Sequence, residues 1–244
     1  MVITYYGLSC FKVQSGDMTL AFDPPSKGSD LKPPRFEANV VLSSHNHPGH
    51  NGLHELSAKK PARNASPASN ASRSDAGWHS DAGGEGGPFL VSGPGEYEIE
   101  GLAIYGIASF HDSEKGKKLG FNTIYTVEFE NIKLCHLGDL GESDIDSETL
   151  EALGEIDVLF LPVGGKDVLD AEAAVKILNK IEPKAVIPMH YSIPKTSIKG
   201  ARVEEFLKEL GEEKIKPEEK FTFKKKDLPE EGLKIVLLEP SINL

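Results

Sequence analysis

Long apolar runs are missing from this 244-residue chain. No stretch approaches the roughly 18 uninterrupted apolar residues that a helix needs to cross a bilayer, so a helical membrane span is excluded. The opening residues, MVITYYGLSCF, carry no basic stretch ahead of an apolar one and no small-residue cleavage site. Secretion is therefore not expected, and the cytoplasm is the expected compartment. Cysteine occurs only twice, at Cys10 and Cys135, too few for a disulfide framework. Each lies in an apolar, strand-like run and reads as a buried free thiol. Arginine is scarce as well: Arg35, Arg63, Arg73 and Arg202 are the whole set. With 38 acidic against 27 basic residues the net charge is −11, the wrong sign for holding a phosphate backbone. The most lysine-rich stretch, residues 195–239, balances its bases with acids and makes no basic patch. The expected partner is a small molecule, with nucleic acid an alternative that the net charge disfavours and no membrane partner expected, and a homo-oligomer is compatible with the composition. The chain is 39% hydrophobic and 27% charged, which excludes a wholly disordered or fibrous protein.

Short strands open the chain: VITYYG, CFKVQSG and MTLAFD, punctuated by Gly7, Gly16 and the Asp23-Pro24-Pro25 break. A polar loop leads to NVVLSS, a buried strand that delivers the chain into HNHPGHNG, with a helix expected over NGLHEL. Residues 58–88 change character, with Ala, Gly, Ser, Pro and Asn filling 22 of 31 positions and Trp78 the one large apolar residue. Such a segment buries too little surface to offset its ordering entropy and reads as a loop or insertion. Strands resume around Gly93-Pro94-Gly95, and a hairpin is expected to turn near Glu130-Asn131. A helix over residues 147–153, the strand DVLFLPVGG and a helix DAEAAVKILNKI capped by Asp170 follow. Then come the strand AVIPMHY, the helix ARVEEFLKEL ended by Gly211, and the terminal strands FTFKK and KIVLLE. Strands dominate both halves with helices between them, which predicts one α/β domain of layered type spanning residues 1–244.

Histidine and aspartate stand where apolar strands give way to loops. NVVLSS runs into His45, His47 and His50, IYGIASF into His111, KLCHLG into Asp139, and AVIPM into His190. One histidine at a strand end is ordinarily a hydrogen-bonded core or surface residue. Four strand ends of this kind can converge on one sheet edge, and together they suit a metal. Imidazole nitrogen and carboxylate oxygen both bind zinc at roughly 2.0–2.2 Å, and a carboxylate can bridge two ions. His136, Asp23 and Asp112 are candidates for orienting those ligands, with core packing or turn capping as the plainer alternatives. His54 reads as a helix-surface residue, and His79 as a solvated residue of the polar segment.

The run His45-Asn46-His47-Pro48-Gly49-His50 resembles the His-x-His-x-Asp-His signature of the metallo-β-lactamase superfamily. Tyr6-Gly7, Phe22-Asp23-Pro24, Ser92-Gly93-Pro94-Gly95-Glu96, Phe110-His111-Asp112, His136-Leu137-Gly138-Asp139 and Ile187-Pro188-Met189-His190-Tyr191 follow in the family's order. They look most like the branch that includes ascorbate-6-phosphate lactonase and uncharacterised metal-dependent hydrolases. The resemblance implies a four-layer αββα sandwich with the metals in a cleft at one edge of the sheets. It implies zinc (manganese or iron being alternatives), with His45, His47 and His111 at a first position, His50 and His190 at a second, and Asp139 bridging. Asp139 and His50 are then the candidate catalytic residues. The implied reaction is hydrolysis by metal-activated water of an ester or lactone, a β-lactam or a phosphodiester. The alternatives are an intracellular nuclease or phosphodiesterase, and a non-catalytic metal-binding protein. One position departs from the signature: Gly49 stands where the family has an aspartate, and glycine supplies no ligand. Gly49→Asp is accordingly expected to raise affinity for a second ion.

Overall fold

The computed structural model describes residues 1–59, 87–212 and 214–242. Burial alternates along β1 (Val2–Tyr5) and β2 (Phe11–Ser15), while β3 (Met18–Phe22) is buried from Thr19 onward, and the three form an antiparallel meander. The short strand β4 (Glu37–Ala38) precedes β5 (Val40–Ser43), which is buried along its whole length, as its uninterrupted apolar run predicts. Next come β6 (Ser57–Ala58), β7 (Phe89–Ser92), β8 (Gly95–Ile99) and β9 (Leu102–Phe110). Strands β10 (Phe121–Phe129) and β11 (Ile132–His136) form the expected hairpin, with Glu130 and Asn131 both at positive φ. That backbone is the type I′ geometry whose twist matches its flanking strands.

Helix α1 (Ser147–Leu153) leads to β12 (Val158–Pro162), α2 (Ala171–Ile181) and β13 (Ala185–Met189). The chain ends through α3 (Val203–Glu209), β14 (Phe221–Thr222) and β15 (Lys234–Ile235). The Asp170 carboxylate accepts the Ala173 N–H at 2.9 Å and caps α2 as its position predicts. Gly211 follows α3 at positive φ. The predicted terminal strands shrink to two residues each.

Two sheets carry the architecture, one in the order β14-β1-β2-β3-β5-β7 and one in the order β15-β13-β12-β11-β10-β9-β8. Their inner faces share one core, in which Phe11 and Phe22 of the first sheet meet Phe160 of the second at ring separations of 4.5 and 5.7 Å. Helix α2 lays Ala174, Ile177, Leu178 and Ile181 against that core, giving a single mixed α/β domain. Among the described residues the outer face of the first sheet is covered by loop and by the β4–β6 pair, where Ala21, Val41 and Leu90 meet Leu56, Phe36 and Leu53. At one edge the sheets are tied together directly. The Tyr125 hydroxyl donates to the Ser43 carbonyl at 2.9 Å, and the Thr123 N–H donates to the Ser44 carbonyl at 2.9 Å.

NGLHEL forms turns rather than a helix. The Glu55 N–H donates to the Gly52 carbonyl at 3.0 Å, closing a single turn, and the Gly52 N–H donates back to the Pro24 carbonyl at 2.7 Å, tying that turn to the preceding loop. His54 therefore sits on a turn. Of residues 58–88, read as a loop or insertion, 60–86 lie outside the described residues, and His79 with them. Among the described residues no helix is long and apolar enough to cross a membrane.

Candidate metal centre

The strand order explains why distant histidines meet. Strands β11, β12 and β13 run parallel, and β9 and β11 both run antiparallel to β10. The carboxyl ends of β9, β11 and β13 therefore open on one edge, delivering His111, Asp139 and His190 there. The end of β5, in the facing sheet, adds His45, His47 and His50. Close backbone approaches keep the edge tight. Gly138 lies at φ +59° with its missing Cβ 2.2 Å from Asn122 Oδ1, so only glycine lets the chain turn there into Asp139. Gly164 comes so near the His190 carbonyl that a Cβ would lie 1.9 Å from its oxygen. His190 itself holds φ +53°, a strained backbone of the kind found at functional sites.

Asp139 Oδ2 is the focus. It lies 3.1 Å from His50 Nε2, 3.1 Å from His190 Nε2, 3.3 Å from His111 Nε2 and 3.8 Å from His45 Nε2. His45 and His50 stand ring to ring at 4.5 Å, and His45 and His111 at 4.8 Å. Among the described residues, three sets of ligand atoms, each drawn together within 4.8 Å, can hold an ion: His45, His47 and His50; His45, His111 and Asp139; and His50, Asp139 and His190. His47 is the exposed member, its Nδ1 accepting the Gly49 N–H at 3.3 Å.

The hydrogen bonds behind the rings settle which nitrogen faces inward. Ser44 donates its hydroxyl to Asp23 Oδ2 at 2.6 Å, so its oxygen accepts from His45 Nδ1 at 3.0 Å. His50 Nδ1 donates to the same Asp23 oxygen at 3.3 Å. Both rings thus carry their proton on Nδ1 and aim Nε2 at the centre, the arrangement that carboxylate partners impose on metal-binding histidines. Among the described residues the buried His45 Nε2 has no hydrogen-bond partner, nor does His111 Nδ1. A buried polar atom without a partner is costly, and a cation at the centre would supply one for His45 Nε2.

Charge tells the same story. Burial, with His50 adding to it, pushes the His45 imidazolium down to about 3. Burial works against protonation of His50 too, yet Asp139 and Asp23 push it up to about 10. Burial would raise the Asp139 carboxyl, but His190, His50 and His111 hold it well below the usual carboxylate range. Four imidazoles around one carboxylate oxygen cannot all be protonated, and one carboxylate cannot partner them all as donors. A divalent cation bound by their lone pairs resolves both problems, so the donor set fits a metal.

Residues 2–190 match the family model described as the beta-lactamase superfamily domain. The chain belongs to the beta-lactamase superfamily. A metal-dependent hydrolase of Bacillus licheniformis is 30% identical over 202 residues, which cover 79% of this chain and 86% of the relative. One from Natranaerobius thermophilus is 27% identical over 200 residues, covering 79% and 84%. Among solved structures, one described as a Zn-dependent hydrolase of the metallo-β-lactamase superfamily from Thermotoga maritima superposes with a TM-score of 0.69. It is 27% identical, and the match covers 98% of this chain and 99% of that one. Within the superfamily the chain is a metal-dependent hydrolase.

All six candidate ligands reach one cleft of about 620 Å³ in this superfamily member. Asp23 does orient His50, through Nδ1. Asp112 takes the plainer role: its carboxylate accepts the backbone N–H groups of Glu114, Gly116, Lys118 and Leu119 at 2.8–3.1 Å and shapes the loop that brings Leu119 to the cleft. His136 is fully buried and touches Asp139 only through an intermediary. Reading the sequence missed Ser9, Ser44, Asn122 and Leu8. Ser44 carried a signal, adjacency to His45. The other three are ordinary residues of strand and turn until the chain folds.

Proposed function

We propose that this metal-dependent hydrolase is a zinc enzyme whose ligands are His45, His47 and His111 at one position and His50 and His190 at another, with Asp139 shared. The observation that carries the reading is the convergence of four imidazole Nε2 atoms on Asp139 Oδ2, with His45 Nε2 buried and unpartnered among the described residues. Imidazole and carboxylate suit zinc, and manganese or iron accept the same donors. When bound, the metal acidifies water and polarises a carbonyl or phosphoryl oxygen. The chain's own groups hold the centre ready. Asp23 and Ser44 keep the protons of His50 and His45 on Nδ1, while Leu8 and Leu119 give the cleft apolar walls.

The cleft volume suits a small substrate with an electrophilic carbonyl or phosphorus: an ester or lactone, a β-lactam or a phosphodiester. The net charge of −11 disfavours long nucleic acids. The test is elemental mass spectrometry on tag-free protein followed by a hydrolysis screen across those classes. Chelation, His45→Ala and Asp139→Ala are each expected to lower kcat/KM by roughly 100-fold or more, since metal stabilisation of the transition state is worth several kcal/mol. Near wild-type turnover after any of the three overturns the proposal.

A further inference from the structure

The two oxygens of Asp139 live in different company. Oδ2 faces the histidines, and Oδ1 accepts the Ser9 hydroxyl at 2.9 Å. Ser9 belongs to the turn between β1 and β2, in the other sheet, and it is fully buried. Its backbone is held as firmly as its side chain. His136 Nδ1 accepts the Gly138 N–H at 3.1 Å, so its Nε2 is the donor, and that donor meets the Ser9 carbonyl at 2.9 Å. The His136 ring stacks on Phe22 at 4.9 Å and lies 5.6 Å from Phe160, so it has no room to turn. Asp139 is pinned from its backbone as well, its N–H donating to Asn122 Oδ1 at 3.0 Å. Asn122 in turn donates to the Leu137 carbonyl at 2.9 Å and the Ser109 hydroxyl at 2.8 Å. The neighbouring Leu8 carbonyl accepts the His190 N–H at 2.8 Å, so the same turn grips two of the candidate ligands.

Rotation of an aspartate carboxylate about its last torsion is soft, with a broad and roughly two-fold preference. Without a fixed partner on Oδ1, the group could offer either oxygen or both to an ion. We infer that Ser9 is a positioning residue whose hydroxyl, set in place by His136, makes Asp139 present Oδ2 alone to the metal centre. The inference rests on the metal-centre reading above. It assigns a function to a buried serine and a buried histidine, neither of which lines the cleft.

The test compares wild-type protein with Ser9→Ala, both stripped with chelator and reloaded with zinc or cobalt(II). Metal affinity is measured by competition with a chromogenic chelator, ligand geometry by the cobalt absorption bands, and folding by the melting midpoint of the metal-free proteins. Ser9→Ala is expected to lose about tenfold or more in metal affinity, as removal of ligand-orienting partners does, and to show altered cobalt bands. Wild-type affinity in Ser9→Ala overturns the inference. So does weakened affinity with unchanged cobalt bands, which assigns Ser9 to folding alone. Wild-type protein that takes up neither metal overturns the metal-centre reading itself, and the Ser9 inference with it.

Discussion

Gly49 is the residue at which this chain departs from the signature it otherwise matches, and its surroundings show what the departure involves. A Cβ at this position would lie 3.1 Å from Leu8 Cδ1 and 3.3 Å from His47 Nδ1. Both neighbours are side-chain atoms, so a shift of a few tenths of an ångström admits them. The obstacle is a methyl group of Leu8, which turns an apolar surface toward the place where a carboxylate would stand. Gly49→Asp is expected to raise zinc content per chain, and Leu8→Ala combined with Gly49→Asp to raise it further, read by elemental mass spectrometry after equilibrium dialysis. Equal metal content in wild type and both variants refutes this. Asp23 shows the same logic from the other side of the ring. It orients His50 through one hydrogen bond and His45 through Ser44, so one buried carboxylate sets two imidazoles.

Among the elements, the loop from Asp112 to Gly120 is the one built around a single side chain. Its backbone hydrogen bonds, that to Leu119 foremost, hold the Asp112 carboxyl below the ordinary aspartate range. Asp112→Ala removes the acceptor for four backbone donors at once, in a loop that lines the cleft through Leu119. Amide hydrogen exchange at Glu114, Gly116, Lys118 and Leu119 is expected to accelerate by about tenfold or more. KM should rise while metal content stays at the wild-type level. Unchanged exchange at those amides would mean that the loop holds itself. The turn over residues 6–10 matters for another reason: it carries no ligand yet touches two. Its sequence reads as a break between strands, and nothing local shows that its carbonyls and hydroxyl face the opposite sheet.

For the whole molecule, Asp157 ties two strands of the second sheet to the C-terminal segment. It is buried and accepts from the Lys133 N–H at 2.9 Å at the start of β11, from Lys184 Nζ at 2.9 Å before β13, and from Lys225 in the C-terminal segment. Burial alone would raise its carboxyl, but Lys225, the Lys133 N–H and Lys184 hold it below the ordinary value of 3.8. A group whose folded pKa is depressed contributes stability that is present above its unfolded value and lost as pH falls through the folded one. Wild-type protein should therefore lose stability below about pH 4, and Asp157→Asn should be less stable at pH 7 with a shallower acid loss in that window. Urea titrations at pH 7, 4 and 3 check this, and parallel curves for the two proteins would refute it.

Patterns over ten or so residues determined much of this protein from the sequence alone. The all-apolar runs of β5, β12 and β13, the Asp170 cap and the Glu130-Asn131 turn need no distant partner to be read, because burial period and local hydrogen bonding depend on neighbours in the chain. The six candidate ligands were legible for a related reason: each stands where an apolar strand stops. The NGLHEL turn was not legible, since what it packs against is the loop at Pro24, a residue far behind it in sequence. The roles of Ser9, Asn122 and Leu8 were decided by tertiary structure alone. A serine in a strand turn has no chemistry of its own, and it acquires one when the packing of two sheets excludes water and sets a carboxylate oxygen against its hydroxyl.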